Sequence, residues 1–307
     1  MPSTPSGKAI QSQHVSVCIC TFRRIDLLRK LLDGLSNQRT EGLFSYSLVI
    51  ADNDNRESAQ PVVAAFSSVA HIPVTYCVES QQNIALARNK TLQHAEGNLI
   101  AFIDDDESPA NDWLFNLFRV HAESRADGVL GPVKPYFEID PPDWVKKGAF
   151  FDRPAHATGF KMNWSECRTG NVLFSRNILV GVDTPFRTEF DTAGEDVDFF
   201  RRMAEKGCTF VWCDEAVVYE LVPSSRCTRR YLLKRALLRG SNFSKHPTHR
   251  IRNGAKSLIA VPCYALSLPI LALFGQHVFL KYLIKLLDHA SRLLAFVGFK
   301  LVTERQT

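Results

Sequence analysis

Between residues 15 and 125, a short apolar run rich in β-formers gives way four times to apolar residues at helical spacing. Val15 to Cys20 precedes Arg24 to Asn37, where Leu27, Leu28, Leu31, Leu32 and Leu35 share one helical side. Ser47 to Ala51 precedes 56–68, Val74 to Val78 precedes 83–96, and Leu99 to Ile103 precedes a helix around 111–125. Strands joined through helices run parallel, because a crossover of that length returns the chain to the same end of the sheet. The pattern predicts an α/β chain with a Rossmann-like, mostly parallel sheet and helices on both faces. Ligands of such sheets bind beyond the carboxyl ends of the strands. Here those ends carry Thr21, Asp52 and the run Asp104, Asp105, Asp106, so polar and acidic groups collect along one rim.

At 307 residues, with 45% hydrophobic and 22% charged, the chain can bury a sizeable core and is not disordered, collagen-like or fibrous. Val129 to about Thr169 changes character, with Pro132, Pro135, Pro141, Pro142 and aromatics around Trp144, and reads as loops and short strands over the sheet edge. Asn171 to Leu179 reads as a strand, Glu195 to Lys206 as a helix, Thr209 to Tyr219 as a strand pair, and Thr228 to Ser241 as a basic helix. The eight cysteines show no CxxC spacing, so buried reduced thiols are expected rather than a metal centre. The polar start, residues 1–13, has no apolar core of a secretory signal, which places the catalytic part in the cytosol.

Net charge is +5, but its distribution says more. Ten Lys or Arg and no acid fall between Pro223 and Lys256: Arg226, Arg229, Arg230, Lys234, Arg235, Arg239, Lys245, Arg250, Arg252 and Lys256. The rest of the chain has 27 cations against 32 acids, a net −5. After the basic segment 223–256, residues Ser257 to Leu280 carry no charge for 24 positions, enough to cross a bilayer, which needs about 20. Pro262, Pro269, Gly275, Gln276 and His277 interrupt that run, and Lys281 to Phe299 reads as an interfacial amphipathic helix. Residues 257–307 are therefore expected to associate with a membrane.

Three adjacent aspartates at a strand end repel one another. A divalent cation offsets that repulsion, and Mg²⁺ or Mn²⁺ held by one or two carboxylates completes its shell with phosphates. The alternative is a solvated acidic turn capping the helix near 111. Glu195 and Asp196 open an amphipathic helix, where acids suit the helix dipole. Either they only cap it, or one is a general base placed to take a proton from a substrate hydroxyl.

The motifs Cys20-Thr21-Phe22-Arg23-Arg24, Ile50-Ala51-Asp52-Asn53, Asn83 with Ala87-Arg88-Asn89, Phe102-Ile103-Asp104-Asp105-Asp106-Glu107, Thr169-Gly170-Asn171 and Gly194-Glu195-Asp196-Val197-Asp198-Phe199 fall in the order and spacing of family 2 glycosyltransferases. Over about residues 14–240 the chain resembles that family, and the flavour is that of bacterial succinoglycan-type exopolysaccharide glucosyltransferases, given Tyr219-Glu220-Leu221-Val222-Pro223 with Arg226. The resemblance implies a GT-A fold over 14–222, with a nucleotide-binding half, 14–127, and an acceptor half, 128–222. It implies a nucleotide-sugar donor, held at its base or ribose by Asp52, flanked by Thr21 and Arg23, and met at its diphosphate by Arg88. It further implies that Asp104 and Asp105 contact ribose or donor sugar and that Asp106 binds the metal. Asp196 would be the base, with Glu195 orienting an acceptor whose site Gly170 and Asn171 line.

Many relatives place a metal-binding His where Glu220 stands here, so Glu220 is either a cation ligand or structural. The Gln-x-x-Arg-Trp motif of processive synthases is absent, which implies addition of one sugar at a time. The expected function is inverting, metal-dependent transfer from a nucleotide sugar, UDP-linked, to a lipid-linked saccharide at the cytoplasmic face of the bacterial inner membrane. A nucleotidyltransferase is the competing phosphate-handling enzyme. P-loop and dinucleotide motifs are absent, and the basic run interleaves only Tyr231 and Phe243, so no nucleic-acid partner is expected.

Overall fold

The computed structural model describes residues 13–190, 194–243 and 250–299, with 241–243 and 250–253 described in backbone only. The polar start up to residue 12, Lys245 and 300–307 lie outside the described residues. The elements run β1 (Gln13–Thr21), α1 (Ile25–Leu35), β2 (Phe44–Asp52), α2 (Gln60–Ser67), β3 (Val74–Val78), α3 (Ile84–His94), β4 (Leu99–Ile103), β5 (Glu107–Pro109) and α4 (Trp113–Ser124). They continue as β6 (Gly128–Leu130), β7 (Val133–Tyr136), α5 (Asp143–Gly148), β8 (Asn171–Ser175), α6 (Glu195–Glu205), β9 (Phe210–Trp212), β10 (Val218–Leu221), α7 (Arg229–Phe243), α8 (Arg250–Ala272) and α9 (Gln276–Phe296).

Seven strands form one sheet in the order β3-β2-β1-β4-β8-β6-β9. The β3, β2, β1 and β4 pairings are parallel, β8 is antiparallel to both β4 and β6, and β9 is parallel to β6. Alternate residues of the central strands feed two separate cores, as the period of two requires. Val15, Val17, Ile19, Leu99, Ala101 and Ile103 join α1, α2 and α4, while Cys18, Ile100 and Phe102 join α6 through Phe199 and Phe200. In α1, Leu28, Leu31, Leu32 and Leu35 are buried against the first core, each stabilising by about 1.5–3 kcal/mol. Asn83 starts α3 by accepting the Ala85 and Leu86 N–H groups at 2.8 and 3.3 Å.

A second sheet, β5-β10-β7, stands at the rim. It accounts for two departures from the sequence expectation. The strand pair over 209–219 splits between sheets, β9 entering the large one and β10 the small one, and β6 lies inside the large sheet rather than over its edge. The strand expected over Asn171 to Leu179 ends at Ser175, whose hydroxyl accepts the Asn177 N–H at 3.3 Å and starts a 3-10 helix, Arg176–Leu179.

Helix α8 runs through both Pro262 and Pro269, and the break comes at Gly275, where φ is 106°. It begins at Arg250, so the end of the basic segment and the apolar run share one helix. Helix α9 is flanked by α7 and α8. Its Asp288 is buried, paired with Arg239 of α7 at 3.1 Å and with Arg292 at 2.8 Å. A Cβ at Gly240 would sit 2.4 Å from the Asp288 carbonyl oxygen, so only glycine allows α7 and α9 this approach. The amphipathic pattern of α9 thus serves a seam between helices. Five cysteines are buried, Cys20 and Cys208 are half-buried, Cys263 is exposed, and all eight are free thiols, as expected.

Candidate active site

At the carboxyl end of β4 the chain closes a tight turn. The Glu107 N–H donates to the Asp104 carbonyl at 3.1 Å, and the Asp104 N–H donates back to Glu107 Oε2 at 3.0 Å. The three aspartates are thereby held in fixed directions. Asp105 points inward, accepting from the Thr21 hydroxyl at 2.9 Å and from Arg24 Nη1 at 2.9 Å. Asp106 accepts from Arg24 at 3.1 Å and stands 3.9 Å from Arg226. Asp104 is the most open, its side chain 46% exposed against 13% for Asp106 and 6% for Asp105.

The second acidic pair comes from the first turn of α6. Arg88, buried on α3, donates to Glu195 and lies 3.6 Å from Asp104. One guanidinium therefore joins two acidic sites that lie far apart in sequence. Asp196 beside it remains partly exposed, one oxygen 2.7 Å from the Val197 N–H and the other 3.9 Å from Arg168 Nε. Asp198 is internal, bound by Arg201 at 2.9 Å and Arg202 at 2.8 Å.

The family described as glycosyl transferase family 2 matches residues 16–182, more than half of the chain and the span that holds β1 to β8 and the Asp104 turn. The chain belongs to family 2.

Within the family, the chain is 28% identical over 305 residues to the succinoglycan biosynthesis protein ExoM of Rhizobium meliloti (strain 1021), covering 94% of this chain and 95% of that one. It is 24% identical over 245 residues to the chondroitin synthase of Escherichia coli, covering 69% of this chain and 35% of that protein. Among solved structures, the mannosyltransferase PcManGT from Pyrobaculum calidifontis, in complex with GDP-Man and Mn²⁺, superposes with a TM-score of 0.60 at 20% identity, over 93% of this chain and 88% of that one. S. aureus TarS 1-349 in complex with UDP superposes with a TM-score of 0.54 at 16% identity, over 93% and 91%. The fold is GT-A, as the motifs implied. Family membership as a glycosyltransferase also sets the nucleotidyltransferase reading aside.

Several residues that the resemblance marked as ligand-facing have all their polar atoms engaged inside the fold. Asp52 is fully buried, and its carboxylate accepts from the Ala59 N–H at 2.7 Å, the Tyr76 hydroxyl at 2.9 Å and the Asp54 N–H at 3.1 Å. Its place is beneath the rim, fixing the loop after β2. Asn171 is equally committed: its amide donates to the carbonyls of Pro132 at 3.0 Å and Ala216 at 2.7 Å, and its oxygen accepts from Trp113 Nε1 at 2.8 Å. It clamps β8, α4 and the small sheet together. Thr21 and Asp105 are bound to each other. Arg23 keeps its place at the opening, half-exposed with a positive φ of 55°, bonded to Asp54 at 3.0 and 3.1 Å.

The pairing of arginines with the acids is what the sequence reading missed. Arg24, Arg88 and Arg226 offset part of the repulsion among the acids. Glu220 is held by Arg153 through one oxygen and by Arg226, at 3.3 Å, through the other, which makes it a strut of this network. Nothing in residues 24, 153 and 226, scattered over the chain, signals their convergence. Gly170 packs so close that a Cβ there would stand 2.7 Å from Glu107 Oε1 and 3.1 Å from Asp104 Oδ2, so it lies against the acidic turn. Glu107 Oε1 is buried without a hydrogen-bond partner. Burial, reinforced by Asp104, pushes the Glu107 carboxyl well above the usual carboxylate range.

Among the described residues, no three His, Cys, Asp or Glu side chains stand as a preformed metal cage. The donor chemistry nevertheless fits a hard cation at two residues. Asp104 offers an open carboxylate, and burial, then Asp104, pushes the Asp106 carboxyl up to about 6, the mark of a place short of positive charge. Glu220, with both oxygens engaged, fits poorly.

Proposed function

We propose that the chain transfers single sugars, with inversion, from a nucleoside-diphosphate sugar, UDP-linked, to a hydroxyl of a lipid-linked saccharide in bacterial surface or exopolysaccharide synthesis. Arg88 carries the reading, because it sets the partly exposed Asp196 next to the aspartate turn of a family 2 chain. The near end-to-end likeness to a succinoglycan biosynthesis protein supports an exopolysaccharide context. TarS with bound UDP supports the choice of donor.

The donor lies over Asp104, which meets its ribose or sugar. Asp104 and Asp106 would hold Mn²⁺ or Mg²⁺, which when bound neutralises the leaving diphosphate. Arg88 is occupied by Glu195, so Arg24, Arg153 and Arg226, partly exposed around the aspartate turn, are cations available to the diphosphate. Asp196 accepts the proton as the acceptor oxygen bonds to the anomeric carbon and the bond from that carbon to the diphosphate oxygen breaks. Attack opposite the leaving group inverts the centre. Glu195, fixed by Arg88, holds the first turn of α6 and so aims Asp196. The apolar outward side of α8 supports a peripheral or C-terminally anchored place at the cytoplasmic face of the inner membrane.

A thermal-shift panel of nucleotide sugars with Mn²⁺ tests the reading. A UDP-sugar at a hundred times its Kd should stabilise the native chain by about 2.7 kcal/mol. If no nucleotide sugar shifts the transition, the donor assignment fails.

A further inference from the structure

Helix α8 packs antiparallel to α9. Ser257 Oγ lies 2.9 Å from His289 Nδ1, and the Tyr264 ring centre is 5.9 Å from that of Tyr282. Between Gly254 and Ala272 its mean hydropathy is 1.6 and almost none of it is buried. Only the stripe through Ser257 and Tyr264 faces its partner. On the outward side, Leu258, Ile259, Leu266 and Ile270 are exposed, followed by Leu273 and Phe274, and Lys256 is the sole charge between 254 and 274.

From this packing we infer that α8 is an in-plane membrane helix, lying along a bilayer with its outward side in the boundary between headgroups and acyl chains, and not crossing it. This rests on the membrane reading above and decides its geometry. Length alone permits a span, since 19 residues cover about 28 Å of a hydrocarbon layer of about 30 Å. Helix α9 forbids it. A crossing α8 would carry its packed partner into the hydrocarbon, with Lys281 and Lys285 exposed and, among the described residues, in no ion pair. Nor can α9 stay behind, because Asp288 is bound to Arg239 of α7 and the Ser291 hydroxyl donates to the Leu237 carbonyl at 2.6 Å. Laid flat, α8 needs no polar outward side, because α9 and α7 supply the wet layer above it. The same body reaches the active site: α9 packs on α5, shortly before Arg153, so an acceptor held in lipid approaches the acidic rim from the membrane side.

The full chain, with Cys20, Cys208 and Cys263 changed to Ser, is labelled with a polarity-sensitive fluorophore at Leu258→Cys, Leu266→Cys or Ile270→Cys. It is then mixed with phosphatidylglycerol–phosphatidylcholine vesicles carrying shallow or deep nitroxide quenchers. An in-plane helix gives binding, with all three labels quenched several-fold more by the shallow probe and to the same extent. Binding with position 266 quenched most by the deep probe would overturn the in-plane geometry and leave membrane association standing. Loss of vesicle binding altogether, or burial of the labels in a dimer without lipid, would overturn both. Leu266→Lys with Ile270→Lys should abolish sedimentation with vesicles while leaving nucleotide-sugar binding intact.

Discussion

The Arg88 guanidinium and the Glu195 carboxylate are both buried and bonded to each other across α3 and α6, and the same guanidinium reaches Asp104. A buried pair of this kind is costly to break from one side, because the remaining charge is left in a medium that solvates it poorly. Arg88→Met should destabilise the fold by about 3–5 kcal/mol in urea denaturation, and Arg88→Met with Glu195→Gln should recover part of that. Full additivity of the two changes would show that the groups do not act as a pair.

Asp196 makes no buried ion pair, so its removal should affect chemistry and not stability. For Asp196→Asn, kcat is expected to fall by about 10²–10⁴-fold with nucleotide-sugar affinity and Tm unchanged. Transfer close to the native rate would remove it from the role of base.

Glu107 closes the aspartate turn by accepting the Asp104 N–H, which makes it a positioning residue. Glu107→Gln keeps the acceptor oxygen and the shape, and should retain donor affinity. Glu107→Ala loses the bond to the Asp104 N–H and should weaken donor binding by about tenfold, near 1.4 kcal/mol. Equal damage from both variants would mean that the charged form of Glu107 is required.

Asn171 serves three partners inside the fold. Asn171→Ala should lower Tm sharply, since the Trp113 N–H and the Ala216 carbonyl lose their partner at about 1–3 kcal/mol for each group left unsatisfied, while the Pro132 carbonyl keeps the Val218 N–H at 3.0 Å. A normal Tm with a raised KM for acceptor would return Asn171 to the acceptor site.

The raised Asp106 carboxyl makes cation binding depend on pH. Its folded value, about 6, lies above the ordinary 3.8, so between those values the folded chain holds the extra proton. The stabilisation from this group is complete below about pH 4 and is lost as pH rises through 6. A cation competes with that proton, so the Tm gain from Mn²⁺ should be larger at pH 7.5 than at pH 5.5. Equal gains at both would place the cation away from Asp106.

Much of the catalytic fold was legible because its signal is local. The apolar periods of β1 to α4 read correctly from neighbours alone, and the Asp104 turn declared itself by the cost of adjacent like charges. What sequence did not reveal depends on distant partners. The inward commitment of Asp52 needs Tyr76 and Ala59, and that of Asn171 needs Trp113, Pro132 and Ala216. The acid–arginine network needs residues 24, 88, 153 and 226 at one place. In α8, the prolines suggested interruption by local rule, yet the helix continues through both.

Across β5 and β10, Glu107 stands directly opposite Glu220, 113 positions later in the chain. The large sheet gains its last strand, β9, by residue 212, but the small sheet that completes the rim waits for β10. During synthesis, a nascent chain can therefore hold a nearly whole scaffold while its acidic turn still lacks the Arg226 and Glu220 supports. Competence arrives late, as the helices that follow begin to emerge, so the acidic rim and α7 to α9 mature almost together.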